Sequence, residues 1–343
     1  MNYFSKLGIV ILLLLLLTSC SSKKKEIFFY HWTTDFELSD SKKKLLDSLD
    51  SKKLYTKFFD VTYSGSQRGP LPTATIQFED AKIVGNTELI PVVYITNEVF
   101  KEMKKLSEAE NLARNISDKI GRLLKRYELN VKELQFDCDW SMATRENYFT
   151  FLKAIRTQVS YQEMGKPKLS ATIRLHQVKY KEKTGIPPVD SGVIMFYNVG
   201  EVTSYTETNS ILNLDTVDKY VASLAEYPLK YDVALPLFSW AVVFNQGEFR
   251  DLLADVPSTA FNQLQKEGNY YYKEESGVFA VHHYLYKGDQ MRYETVDAQL
   301  LSALANRIKK YAAQDFNIIY YHLNSNVAAQ FSAAAIQQLS QKF

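Results

Sequence analysis

Eight short runs rich in Val, Ile, Phe and Tyr recur along this 343-residue chain, and most are apolar at both odd and even positions. They are EIFFYHW from Glu26, KLYTKFFDVTY from Lys53, ELIPVVYIT from Glu88, ELQFDCDW from Glu133, KLSATIRLHQ from Lys168, GVIMFYNVG from Gly192, YDVALPLFSW from Tyr231 and FNIIYYHLN from Phe316. A strand apolar on both faces belongs in a parallel sheet covered by helices. Helical periodicity fills many of the gaps. Leu112, Ile116, Ile120, Leu123 and Leu124 form one stripe, with Ser107 and Glu110 spaced as a capping box. Further helices are expected over 143–159, 214–226 and 296–313, and a last one from about Val327. Strand and helix alternating to a count of eight predict an α/β protein, a (β/α)₈ TIM barrel.

No Pro/Gly/Ser linker or low-complexity tract divides the chain after residue 26, so 27–343 is expected to be a single barrel domain. Three connections depart from the plan. SGSQRGPLPTATIQFEDAKIVGNTE, between runs two and three, has no helical period. VKYKEKTGIPPVDS, between runs five and six, is too short and proline-rich for a full helix. Between runs seven and eight the chain swells into a small α+β insertion over about 245–295. There FAVHHYLYKGDQMRYETV predicts a hairpin turning at Gly288-Asp289.

Residues 1–19 predict a lipoprotein signal peptide. Lys6 precedes an apolar run from Leu7 to Leu17, too short to span a bilayer as a helix. Leu17-Thr18-Ser19-Cys20 resembles the lipobox of bacterial lipoproteins, which implies cleavage before Cys20 and acylation of its thiol. Residues 20–26 then form a tether, and the protein is expected on the bacterial cell envelope, lipid-anchored to a membrane through Cys20. With Cys20 acylated, Cys138 is left without a disulfide partner. Charge nearly balances, with 41 basic against 39 acidic residues, which excludes an electrostatic case for nucleic acid.

Chemistry concentrates in ELQFDCDWS, residues 133–141. Strand parity puts Gln135, Asp137 and Asp139 on one face and Leu134, Phe136, Cys138 and Trp140 on the other. On the next run Ser170, Thr172, Arg174 and His176 share a face. Both polar faces are expected to point into the barrel mouth, where this fold places its sites. Two adjacent carboxylates repel unless one is protonated or a cation compensates. Arg174 is the expected compensator and His176 a titrating neighbour. Trp32, Trp140 and Trp240 each end a run, which puts them at the rim, and Trp32 and Trp240 are candidate flat faces for pyranose rings. Lys57 has the parity to aim inward. No spaced His/Cys motif supports a metal site from Asp137, Asp139, His176, His31 and His322, and no cofactor is expected.

These residues carry a family resemblance. FDCDWS is similar to the fourth-strand Asp-x-x-Asp-x-Asp-x-Glu signature of family-18 glycoside hydrolases, the chitinases and endo-N-acetylglucosaminidases. MFYN at 195–198 resembles their sixth-strand Met-x-Tyr-Asp/Asn, and ALPLFSW at 234–240 their seventh-strand stretch. The resemblance implies a glycan cleft, with an N-acetylglucosamine-containing glycan as partner. Asp137 and Asp139 match the family's second and third aspartates, and Tyr197 with Asn198 the pair contacting an N-acetyl group. The first aspartate falls on Leu134. The general-acid glutamate falls on Ser141, and a serine has no proton acidic enough to protonate a leaving oxygen.

Three readings therefore stand open. One is a glycosidase using a non-standard carboxylate pair, with Asp137 and Asp139 catalytic, Asp139 as the acid, and Asp35, Asp60 or Glu201 as second carboxylates. Another is a non-catalytic glycan-binding lipoprotein. The third is an envelope scaffold with no active site.

Overall fold

The computed structural model describes residues 25–78, 87–262, 264–272, 278–280, 283–324 and 331–343. Cys20, most of the tether and the expected helix start at Val327 lie outside them. Eight strands form the barrel: β1 Ile27–His31, β2 Lys53–Ser64, β3 Glu88–Ile95, β4 Glu133–Asp137, β5 Lys168–Arg174, β6 Ser191–Met195, β7 Tyr231–Pro236 and β8 Ile318–Tyr321. Each lies parallel to the next. β1 pairs with β8 (Ile27↔Ile318) and with β2 (Phe29↔Leu54), which closes the ring.

The longer helices outside the barrel are α1 Asp40–Ser48, α2 Leu106–Arg126, α3 Arg145–Ile155, α4 Ala298–Tyr311 and α5 Ala333–Ser340. α2 buries the predicted stripe of Leu112, Ile116, Ile120, Leu123 and Leu124. Its start is not the expected capping box. Lys105 takes the cap position, Ser107 falls inside the first turn, and Glu108 reaches back to accept the Lys104 N–H at 3.0 Å. The helix expected over 214–226 breaks in two. Leu214–Asp218 is capped by Asn213, and a 3₁₀ turn follows over Val221–Glu226. No helix among the described residues is long and apolar enough to cross a membrane.

The irregular connections take definite forms. After β2 the chain folds back as a strand, Gly69–Thr73, antiparallel to β2 from Asp60↔Thr73 to Ser64↔Gly69. Among the described residues no helix joins β2 to β3. Between β5 and β6 stand two short helices, Leu175–Lys179 and Lys181–Thr184. The insertion after β7 is a five-stranded antiparallel sheet that begins at Trp240 rather than near 245. The chain turns at Gly288 as expected, but its two arms part. His283–Leu285 pairs with Val278–Ala280, and Asp289–Glu294 pairs with Trp240–Asn245.

The barrel interior is polar along one wall. Glu133 takes Lys53 Nζ and the Ser170 hydroxyl, each at 2.7 Å. Above it, Gln135 accepts the Tyr30 hydroxyl at 2.7 Å and donates to Ser170. Every second residue of β4 thus finds a partner inside the ring, which a buried polar group requires. β2 carries an irregularity in its pairing with β3 between Lys57 and Phe59. The extra residue resets the alternation, so Lys57 and Asp60, three apart, both face inward and pair at 3.2 Å.

Candidate functional site

The mouth is built where β4 and β5 end. Asp137 closes β4, and the chain stays extended beyond it because its outward side chains are pinned. Trp140 is fully buried, stacks on Tyr148 with ring centres 5.3 Å apart, and donates its indole N–H to the Thr184 carbonyl at 2.9 Å. Trp140 therefore packs against the outer helices and is not a rim residue. Its burial fixes the parity that turns Asp137 and Asp139 inward.

Arg174 meets them. Its Nε and Nη2 donate to the two oxygens of Asp139 at 2.5 and 2.8 Å, and Nη1 reaches the Tyr197 carbonyl at 3.3 Å. Such a two-point pair is strong and sets geometry as well as charge. Burial opposes the guanidinium's charge, yet hydrogen bonding and the fields of Asp139 and Asp137 outweigh it and raise its pKa. Asp137 accepts the Thr172 hydroxyl at 2.5 Å. Its pKa is pushed up to about 6, first by burial and then by the Asp139 charge, with Thr172 and Arg174 pulling the other way. Asp137 keeps its proton up to about pH 6, while both Asp139 oxygens are taken by Arg174. The acid role expected for Asp139 is therefore not favoured.

Ser141 stands where the resemblance puts a general acid. Its backbone N–H donates to Thr144 Oγ1 at 2.9 Å and its hydroxyl lies 3.3 Å from the same atom. The Thr144 hydroxyl donates in turn to Asn97 Oδ1 at 2.6 Å. The residue shapes the turn into α3.

Arg174, His176, Tyr197 and Asn198 line one cavity of about 80 Å³ with Val199 and Tyr220. His176 reaches it by another route than strand parity. β5 ends at Arg174, whose backbone N–H donates to Gln177 Oε1 at 2.7 Å, and the helix that follows turns His176 to the exposed rim. Its pKa is lowered, mainly by burial, against the pull of Asp139. Asn198 is exposed in the left-handed region, φ 53°. Tyr197 is buried and stacked on Tyr321, ring centres 5.0 Å apart. Trp32 is half-buried between Tyr30 and Tyr321. Trp240 does not present a face. It is 8% exposed, opens the insertion sheet and gives its N–H to Glu294 at 2.8 Å.

Of the other carboxylates considered, Asp60 reaches the mouth through the β2 irregularity, with Oδ2 on Lys57 and Oδ1 buried without a partner. Asp35 and Glu201 are exposed, Glu201 accepting from Thr203. His31 is buried beside Phe36, and His322 lies 3.4 Å from Asp255. Among the described residues no group of three or more His, Cys, Asp or Glu is arranged to hold a metal. Tyr94 escaped the sequence reading. It stands in register between Asp60 and Asp137, with its pKa pushed up to about 12 by burial and then by Asp137 and Asp139.

No protein-family model and no curated protein matches the sequence. Solved structures do. The spore cortex-lytic enzyme SleL of Bacillus cereus is 16% identical with a TM-score of 0.53, covering 93% of this chain and 74% of its own. A family-18 N-acetylglucosaminidase from Paenibacillus barengoltzii is 12% identical with a TM-score of 0.50, covering 92% and 99%. A chitinase-like agglutinin from Robinia pseudoacacia is 14% identical with a TM-score of 0.51, covering 91% and 98%. The fold is thus similar to that of family-18 glycoside hydrolases. At these identities the likeness is one of fold, and the chemistry has to come from the site.

Proposed function

We propose that this protein is a glycan-binding barrel that holds an N-acetylglucosamine-containing chain at its mouth and does not cleave it. The observation that carries this reading is the state of the would-be catalytic pair. Ser141 supplies no acid, and Arg174 fixes and neutralises Asp139. A hydrolase needs a carboxylic acid poised beside a second free carboxylate. The cavity at Tyr197 and Asn198, about 80 Å³, is smaller than the ~300 Å³ of a pocket for a whole ligand. It suits an acetamido substituent, with the ring above it against Trp32 and His176.

Chito-oligosaccharide titration by calorimetry, with reducing ends followed in parallel, tests the reading. Saturable binding without new reducing ends is expected. Asn198→Gly, which removes the side chain without straining the left-handed backbone, should weaken binding about tenfold, or about 1.4 kcal/mol. Unchanged affinity in that variant rejects the site. Ser141→Glu alone should produce no reducing ends, because Arg174 holds both Asp139 oxygens and leaves no free carboxylate beside the new acid.

One observation favours a second reading. Asp137 near pH 6 is a competent proton donor, so turnover that disappears in Asp137→Asn would make the protein a glycosidase with a displaced acid.

The same proposal puts the barrel on the cell envelope, held by acyl chains on Cys20. In detergent phase separation the intact protein should enter the detergent phase and Cys20→Ala the aqueous one. A Cys20→Ala protein that still follows the detergent contradicts the anchor.

A further inference from the structure

A groove of about 670 Å³ runs along the outer wall of the barrel between α2 and the Gly69–Thr73 strand. It lies where a regular (β/α)₈ ring has its second helix, between β2 and β3. Tyr63, Pro72, Met103 and Ile116 give it an apolar floor. Arg68, Lys119 and Arg122 stand along it with no carboxylate partner among the described residues.

Three acids, Glu102, Glu108 and Asp118, also line it, outnumbered by four cations with Lys104 counted, and each acid has a partner of its own. Glu108 accepts the Lys104 N–H at 3.0 Å, Asp118 holds the Ser160 hydroxyl, and Glu102 lies 4.0 Å from Lys104. Lys119 and Arg122 are neighbours on one face of α2, and burial together with the Arg122 charge lowers the pKa of Lys119. A cation so placed gains from any anion brought beside it. The form of the occupant is restricted as well. The open edge of Gly69–Thr73 carries Pro70 and Pro72, which have no N–H to offer, so a further strand pairs poorly there. A helix needs no such donors, and it packs against a neighbouring helix at 8–10 Å.

We propose that this groove docks an acidic amphipathic helix of a partner protein, its apolar stripe on the floor and its carboxylates on Arg68, Lys119 and Arg122. This is helix-in-groove recognition, on a face separate from the mouth.

Fluorescence anisotropy with the full chain tests it, using a labelled Leu/Glu amphipathic helical peptide, its Leu/Lys counterpart and polyglutamate. The Leu/Glu peptide should bind saturably and the Leu/Lys peptide should not. Affinity for the Leu/Glu peptide should fall at least about tenfold in Lys119→Glu/Arg122→Glu, with chito-oligosaccharide binding unchanged. Equal binding of polyglutamate would reduce the groove to a charge effect and overturn the proposal, as would full affinity in the double variant. Binding that appears only when 79–86 is replaced by a glycine-serine linker would assign the groove to the chain itself. A dimer in sedimentation that the double variant abolishes would assign it to a second copy. Either outcome overturns it.

Discussion

Glu294→Ala is expected to cost about 3–5 kcal/mol of folding stability, the penalty of breaking one partner of a buried ion pair. Arg292 and Glu294 are 1% and 0% exposed and meet at 2.6 Å. Glu294 also accepts the Ser210 N–H and hydroxyl, each at 2.6 Å, the Ile211 N–H at 3.2 Å and the Trp240 indole at 2.8 Å. Alanine removes the acceptor from all of them and leaves a guanidinium in the interior facing the carbonyls of Ser204, Val202 and Tyr205 and the Phe244 ring, with no carboxylate beside it. Such a loss should lower the melting temperature by on the order of 10 °C in a chain of this size. Arg292→Met/Glu294→Leu, which removes both charges, should recover part of the loss although it changes more atoms. Urea unfolding measures both. A cost below about 1 kcal/mol for Glu294→Ala would mean that water already reaches the pair. The consequence would extend to the mouth, because the network fastens the insertion sheet to segment 202–211, which continues from Asn198.

This network was not legible in the sequence, and the reason is physical. Arg292 and Glu294 sit two apart on a strand, their other hydrogen-bond partners lie 54 to 90 residues away, and no local period announces them. The barrel itself was legible because it rests on local patterns, namely apolar runs, the α2 stripe and the parity around Asp137, Asp139 and Arg174. Parity failed where the backbone left its regular form. The strand that would carry His176 ends at Arg174, and Trp140, last in its run, lies against the helices, as its outward parity implies, and not at the rim. Asp60 and Lys57, three apart, have opposite parity in a regular strand, and only an extra residue at the β2 irregularity brings both inside. Tyr94 carried a usable signal, since it ends β3 at the level where Asp137 ends β4.

Asp137→Asn is expected to flatten part of the protein's pH–stability curve and to stabilise it above about pH 6. In the folded barrel Asp137 titrates at about 6 against an ordinary value of 3.8. Below about pH 4 both folded and unfolded chains hold the proton, and the carboxyl costs nothing. As pH rises from there the unfolded chain releases its proton first, so stability falls with pH until the folded carboxyl ionises as well. Over that window the loss is on the order of 2–3 kcal/mol, two pKa units at about 1.4 kcal/mol each. Asparagine carries no charge to bury, repels Asp139 less, and can still accept the Thr172 hydroxyl. Melting temperatures of the two proteins should therefore coincide near pH 4 and separate toward pH 7, with the variant the more stable. A wild-type curve that rises through this window relative to the variant would show that Asp137 ionises readily, and Arg174 would then be serving both aspartates. The same window bears on the mouth, because a neutral Asp137 can donate a hydrogen bond to a sugar oxygen and an ionised one can only accept. Glycan affinity in the wild type should accordingly change across pH 5–7, and by less in Asp137→Asn, where His176 is left to titrate beside the sugar.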